Sequence, residues 1–126
     1  MGVTRPVRVL IADDHRLFAE ALEAVLASEE EIEVVGRAAD GGEAVELARE
    51  LQPDVVALDI SMPVMDGFEA AAELDKLERP PAVLMLTGSS APEDVDRARR
   101  AGVKGYITKD AIAASLVKAI LTAAGR

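Results

Sequence analysis

A chain of 126 residues is one domain's worth, and half of it is hydrophobic, so it can bury a core, one that must be aliphatic because aromatic residues make up only 2%. With two Phe, one Tyr and no Trp, a site that stacks flavins or bases on aromatic rings is disfavoured, and the absence of Cys excludes disulfides, thiolate metal sites and cysteine nucleophiles. Acidic residues outnumber basic ones 23 to 14, a formal charge of −9 that repels phosphodiester backbones and argues against direct nucleic-acid binding by this domain.

Val7 to Ala12 (VRVLIA) reads as a strand, followed by a loop at Asp13, Asp14 and His15. Between Arg16 and Ser28, Leu17, Phe18, Ala21, Leu22, Val25 and Leu26 recur at helical spacing. Ile32 to Ala39 is a second strand, and Gly41 and Gly42 mark a turn. Ala44, Leu47, Ala48 and Leu51 form one stripe of an amphipathic helix that Pro53 ends. Asp54 to Asp59 (DVVALD) is a third strand, its apolar middle suited to a sheet covered on both faces. After the loop Ile60 to Gly67 comes a short helix from Phe68 to about Leu77, and Pro80 and Pro81 break the chain. Ala82 to Thr87 (AVLMLT) is the fourth strand. Pro92 to Ala101 is a weakly amphipathic helix with Val95 and Ala98 inward, stopped by Gly102. Val103 to Thr108 is the fifth strand, and Ile112, Leu116, Ala119, Ile120 and Ala123 stripe a last helix.

Five strand–helix units imply parallel pairing with right-handed crossovers, a doubly wound α/β fold. Ligands in such folds bind beyond the carboxyl ends of the strands. Those ends carry Asp13 and Asp14, then Asp59, then Thr87, then Thr108 and Lys109. Three carboxylates held together repel, and some are pushed toward the protonated form. A hard divalent cation such as Mg²⁺ relieves this with oxygen ligands. Lys109 adds a positive charge suited to a phosphate oxygen, and the Thr87 hydroxyl can donate to another. Gly88 leaves room above the site. A cation, an ammonium and a hydroxyl together neutralise a transferring phosphoryl group, and one carboxylate can then form an acyl phosphate. Asp59, ending the central strand, is the best candidate.

These residues resemble the receiver domain of two-component response regulators over essentially the whole chain. The matching motifs are Asp13-Asp14, D-I-S-M-P-V-M-D-G from Asp59 to Gly67, L-T-G from Leu86 to Gly88, and K-G-Y-I-T-K-D from Lys104 to Asp110. The resemblance implies a CheY-like, flavodoxin-like sheet of order 2-1-3-4-5. It implies that Asp59 accepts a phosphoryl group from a sensor histidine kinase or a histidine phosphotransfer protein, followed by slow autodephosphorylation. Asp14 and Asp59 would bind Mg²⁺, with Mn²⁺ as a substitute, helped by Asp13 and the Ser61 backbone carbonyl. Lys109 and Thr87 would contact the phosphoryl group, and Thr87 with Tyr106 would form the switch pair. Homodimerisation or effector contact would follow through the fourth helix, fifth strand and fifth helix. Ser61 and Ser89 sit where the family tunes dephosphorylation. Asp110 follows Lys109 where many receivers carry Pro, often after a cis bond. This variant resembles the NarL/FixJ-type subgroup, whose receivers usually precede a helix-turn-helix DNA-binding domain; residues 1–126 match the receiver alone, without that output domain.

Simpler roles exist for each residue singly. Asp13 or Asp14 could cap the first helix, His15 could tune local charge beside them, and Tyr106 could be an ordinary core ring. Ser61, Ser89 and Ser90 lack a histidine base, so they are not read as nucleophiles. An aspartate-nucleophile phosphohydrolase shares the acyl-phosphate chemistry. It usually carries a second Asp two residues after the nucleophile, where this chain has Ser61, so no turnover enzyme is expected. A receiver-like module that has lost phosphorylation would lack one of the acids or the lysine, and none is missing. A flavin carrier is opposed by the acid-lined pocket. No apolar run reaches the roughly 20 residues of a membrane span, and Met1 to Pro6 lacks a signal-peptide core, so a cytoplasmic location is expected.

Overall fold

Five parallel strands in the order β2-β1-β3-β4-β5 make up one sheet in the computed structural model, which describes residues 5–88 and 92–126. The elements are β1 (Val7–Ala12), α1 (Arg16–Ala27), β2 (Ile32–Ala38), α2 (Gly41–Leu51), β3 (Val55–Asp59), α3 (Gly67–Leu74), β4 (Ala82–Thr87), α4 (Pro92–Arg100), β5 (Gly105–Thr108) and α5 (Ile112–Ala123). The expected fold and strand order are therefore observed. Ser89 and Ser90, and Met1 to Thr4, lie outside the described residues.

The central strands are apolar throughout because helices cover both faces. Alternate residues of β1 point to opposite layers. Leu10 and Ala12 pack with Ala44 and Ala48 of α2, with Phe68, Ala71 and Leu74 of α3, and with Ala98 of α4. Val7, Val9 and Ile11 pack with Leu22 and Leu26 of α1 and with Ile112, Leu116 and Ile120 of α5. All five residues of β3 are buried, so Asp59 ends the most enclosed strand.

Some boundaries differ from expectation for local reasons. Gly41 opens α2 rather than forming a turn: the Asp40 side chain accepts the Glu43 N–H at 2.8 Å and caps the helix. A side chain at Gly41 would meet the Met65 carbonyl oxygen at 2.3 Å, so the glycine lets α2 approach the loop after β3. Helix α3 stops at Leu74, short of Leu77, and β5 begins at Gly105 rather than Val103. Neither Asp13 nor Asp14 caps α1. His15 holds the N-cap position, and the Asp13 Oδ1 accepts the His15 N–H one residue before the helix, at 2.8 Å. Among the described residues no peptide bond is cis, and after β5 the chain enters a short 3-10 turn, Lys109–Ala111.

Candidate functional site

Adjacent parallel strands deliver their C-terminal ends to one edge of the sheet. Asp59 pairs in register with Leu86, and Thr87 with Thr108, which sets Thr87 beside Asp59 and Lys109 beyond them. Asp13 and Asp14 follow β1, the other neighbour of β3. Asp13, Asp59 and Thr87 are the buried polar residues among those described, and all three lie at this edge.

The Lys109 Nζ lies 3.3 Å from the Asp13 Oδ2 and 3.5 Å from the Asp59 Oδ2, so one ammonium bridges two buried carboxylates. The same Nζ sits 4.4 Å above the Phe18 ring of α1. Phe18, read from the sequence as part of a helix stripe, thus also holds the lysine by a cation–π contact. Asp14 is more exposed, and its Oδ1 is 3.8 Å from the His15 Nδ1.

Burial, followed by the charge of Asp13, raises the Asp59 carboxyl from 3.8 to about 6, while Lys109 and the Ser61 backbone N–H pull it down. The expected repulsion among acids is present, but desolvation is the larger cause. At neutral pH Asp59 is still mainly ionised, with a basicity above that of an ordinary carboxylate.

Asp13, Asp14 and Asp59 carry more negative charge than Lys109 offsets, and the Asp13 Oδ2 is buried without a hydrogen-bond partner. Asp13, Asp14 and His15 can each offer one ligand atom within 4.8 Å of the others. This oxygen-rich, net-negative set fits a hard divalent cation. A groove of about 650 Å³ opens beside it, lined by Asp14, Ser61, Met62, Phe68 and Arg97 among others. A Cβ added to Gly88, the residue after Thr87, would meet nothing within 4 Å among the described residues. Tyr106 is half-buried against the layer formed by α2, α3 and α4.

The structure brings Asp13, Asp59 and Lys109 into direct contact, with Thr87 at the neighbouring strand end and Asp14 at the rim. Two glycines that set this geometry carry no chemistry of their own. A Cβ at Gly67 would lie 2.4 Å from the Asp59 carbonyl oxygen and 2.7 Å from the Ile60 Cα, so only glycine lets α3 start so close to the strand end. Gly67 reads from sequence as turn chemistry, and Gly41 as a turn; their close approaches are tertiary.

A family model described as the response regulator receiver domain matches residues 9–121. The chain belongs to this family. Response regulators are signalling proteins, and the receiver domain is their phosphoacceptor switch. The chain is 40% identical over 118 residues to the probable transcriptional regulatory protein NarL of Mycobacterium tuberculosis, covering 94% of this chain and 55% of that protein. It therefore spans about half the length of that relative. The solved signal receiver domain of NarL from the same species superposes with a TM-score of 0.92 at 39% identity, covering 96% of this chain and 98% of that one. A CheX–CheY complex with BeF₃ and Mg²⁺ from Borrelia burgdorferi gives a TM-score of 0.86 at 28% identity, covering 94% of this chain and 89% of that chain.

Proposed function

We propose that Asp59 is the phosphoacceptor of this receiver, taking a phosphoryl group from the phosphohistidine of a sensor histidine kinase or a histidine phosphotransfer protein. One observation carries the reading. Asp59 is a buried carboxylate at the end of the central strand, raised to about 6, and held against Lys109 beside an open groove.

The Asp59 carboxylate oxygen attacks phosphorus in line as the phosphorus–nitrogen bond to histidine breaks, and the imidazole leaves with that electron pair. The product is a mixed anhydride on Asp59. Lys109 is already within 3.5 Å of this oxygen and can follow the charge onto a phosphoryl oxygen. The Thr87 hydroxyl, on the adjacent strand end, donates to another. Asp13, Asp14, Asp59 and the Ser61 backbone carbonyl would hold Mg²⁺ or Mn²⁺. When bound, the ion supplies positive charge against the phosphoryl oxygens. The convergence of Asp13 and Asp14 on one point supports that assignment, as does the presence of Mg²⁺ in the related CheY complex.

Once Thr87 is drawn to the phosphoryl group, Tyr106 follows and the surface of α4, β5 and α5 changes. That surface would govern homodimerisation or contact with an output, which we take to be transcription through a DNA-binding domain or partner, as the name of the NarL relative suggests. Residues 1–126 act as one receiver unit and meet no nucleic acid themselves. No turnover on small substrates is proposed, because Ser61 offers no carboxyl two residues after Asp59 to protonate a leaving group. Among the described residues no helix is long and apolar enough to cross a membrane, and we place the protein in the cytoplasm.

The test is intact mass after treatment with a phosphodonor and Mg²⁺. The wild type gains one phosphoryl group and Asp59→Asn gains none. Equal labelling of that variant would refute the assignment.

A further inference from the structure

The opposite edge of the sheet carries a second charged site, of the other sign. Arg5, Arg8, Arg79 and Arg126 line one cavity of about 400 Å³ at the N-terminal ends of β1, β3 and β4. Four of the fourteen basic residues of a chain with net charge −9 therefore share one concave surface. Asp54 is the one carboxylate side chain in its lining.

Six of the fourteen basic residues are matched to carboxylates elsewhere on the surface or at the acidic edge. Arg16, Arg37, Lys76, Arg97, Arg99 and Lys109 each lie within 4.0 Å of a carboxylate. Among the described residues none of the four cleft arginines forms such a pair. Two of them are held by carbonyls instead. The Arg8 Nη1 donates to the Leu51 and Gln52 carbonyls at the end of α2, at 2.7 and 2.9 Å, and the Arg126 Nη2 donates to the Arg5 carbonyl. The Asp54 Oδ2 is occupied by the Arg8 backbone N–H at 2.8 Å. Pro6, Pro53 and Pro80, whose φ angles are locked, stiffen the wall. Four guanidiniums thus face one hollow whose lining offers a single carboxylate side chain against them.

We propose that this cleft binds a compact anion bearing a diphosphate group. Guanidinium forks match phosphate oxygens two at a time, and charge-assisted pairs of this kind are the strong ones. A cavity of this size holds a small molecule. The overall negative charge repels a long polyanion such as nucleic acid, whereas a short one meets only the local field. The cleft stands apart from Asp59: Asp13 lies five positions along the strand from Arg8, roughly 16 Å at about 3.3 Å per residue. That exceeds the Debye length of about 8 Å at physiological salt, so the two sites act independently.

Isothermal titration of the whole chain in a chelator, which keeps metal off the acidic edge, tests this with phosphate, pyrophosphate, ADP and adenosine. Pyrophosphate is expected to bind one to one and more tightly than phosphate, and adenosine not at all. ADP binding more tightly than pyrophosphate would identify a nucleotide as the natural source of the diphosphate; equal binding would identify the inorganic ion. Arg5→Gln combined with Arg79→Gln, both exposed positions, should weaken pyrophosphate about tenfold or more. Asp54→Asn keeps an acceptor for Arg8 but removes the opposing charge, and should tighten binding. Absence of saturable binding, indifference to the double substitution, or loss of binding in Lys109→Ala, which would put the anion at the other edge, would each overturn the proposal.

Discussion

Helices α3 and α4 each follow a strand whose last residue belongs to the proposed phosphorylation site, yet they are attached to the domain in different ways. Of the eight residues of α3, Gly67, Phe68, Ala70, Ala71 and Leu74 are buried. Its start is fixed by a capping box, in which the Asp66 side chain accepts the Glu69 N–H at 2.8 Å and the Glu69 side chain accepts the Asp66 N–H. In α4, among Val95 to Arg100, only Ala98 is fully buried, and Asp96, Arg97, Arg99 and Arg100 are exposed. The chemistry needs this asymmetry. In the proposed reaction Asp59 must be held in line as a nucleophile, whereas α4 must be able to shift when charge arrives. An element with few buried apolar side chains opens at lower cost than one seated in the core.

The harshest test of the pinned side is Gly67→Ala. The new methyl would have to displace the backbone of Asp59 and Ile60, not the end of a flexible side chain. A loss of about 3 kcal/mol is expected in denaturant unfolding, together with loss of phosphotransfer. Unfolding at the wild-type midpoint would mean that the backbone of Asp59 and Ile60 gives way to the added methyl.

A smaller effect comes from the charge stored on the pinned side. The Asp59 carboxyl is raised to about 6 in the folded protein from 3.8. The folded state therefore binds the proton more tightly than the unfolded chain, and ionised Asp59 costs stability above pH about 6. Asp59→Asn should stabilise the metal-free protein at pH 7.5 by about 2 kcal/mol. The gain should fade as pH falls from about 6 through 3.8 and vanish below. Thermal unfolding of both proteins in chelator across that range measures it. A constant difference at all pH values would show that burial does not tax this carboxylate.

Removing the cap of α3 by Asp66→Ala should cost about 1 kcal/mol, with faster amide exchange confined to the first turn of that helix. If exchange rose equally across α3 and α4, the two helices would be one cooperative unit.

The sequence carries the strands and their polar ends clearly, because each buried parallel strand is a short apolar run closed by a residue unlike it. Asp13, Asp59, Thr87 and Lys109 could therefore be placed together before any coordinates. What sequence could not supply were relations between elements. Gly41 and Gly67 look like turn residues, since nothing local reveals the carbonyls of Met65 and Asp59 pressed against them. Phe18 looks like any core-facing residue of α1 until Lys109, ninety-one positions later, is found over its ring. The arginine cleft is assembled from positions 5, 8, 79 and 126, too far apart for any charge pattern along the chain.

The smallest expected effect concerns the one described tie between the two helices. Arg97 of α4 stacks 4.2 Å over the Phe68 ring of α3, and its Nη2 is 4.0 Å from the Asp66 Oδ2. The Arg97 guanidinium and the Asp66 carboxylate are solvent-accessible, although the Phe68 ring is buried, and an ion pair or a cation–π contact made by such an exposed cation is worth about 0.5 kcal/mol. Arg97→Ala should therefore leave global unfolding almost unchanged. Because α4 has little else holding it to this side of the sheet, the same substitution should speed amide exchange in α4 while leaving α3 protected. Protection in α4 equal to wild type would place the restraint on that helix elsewhere, in the packing of Ala98 into the core.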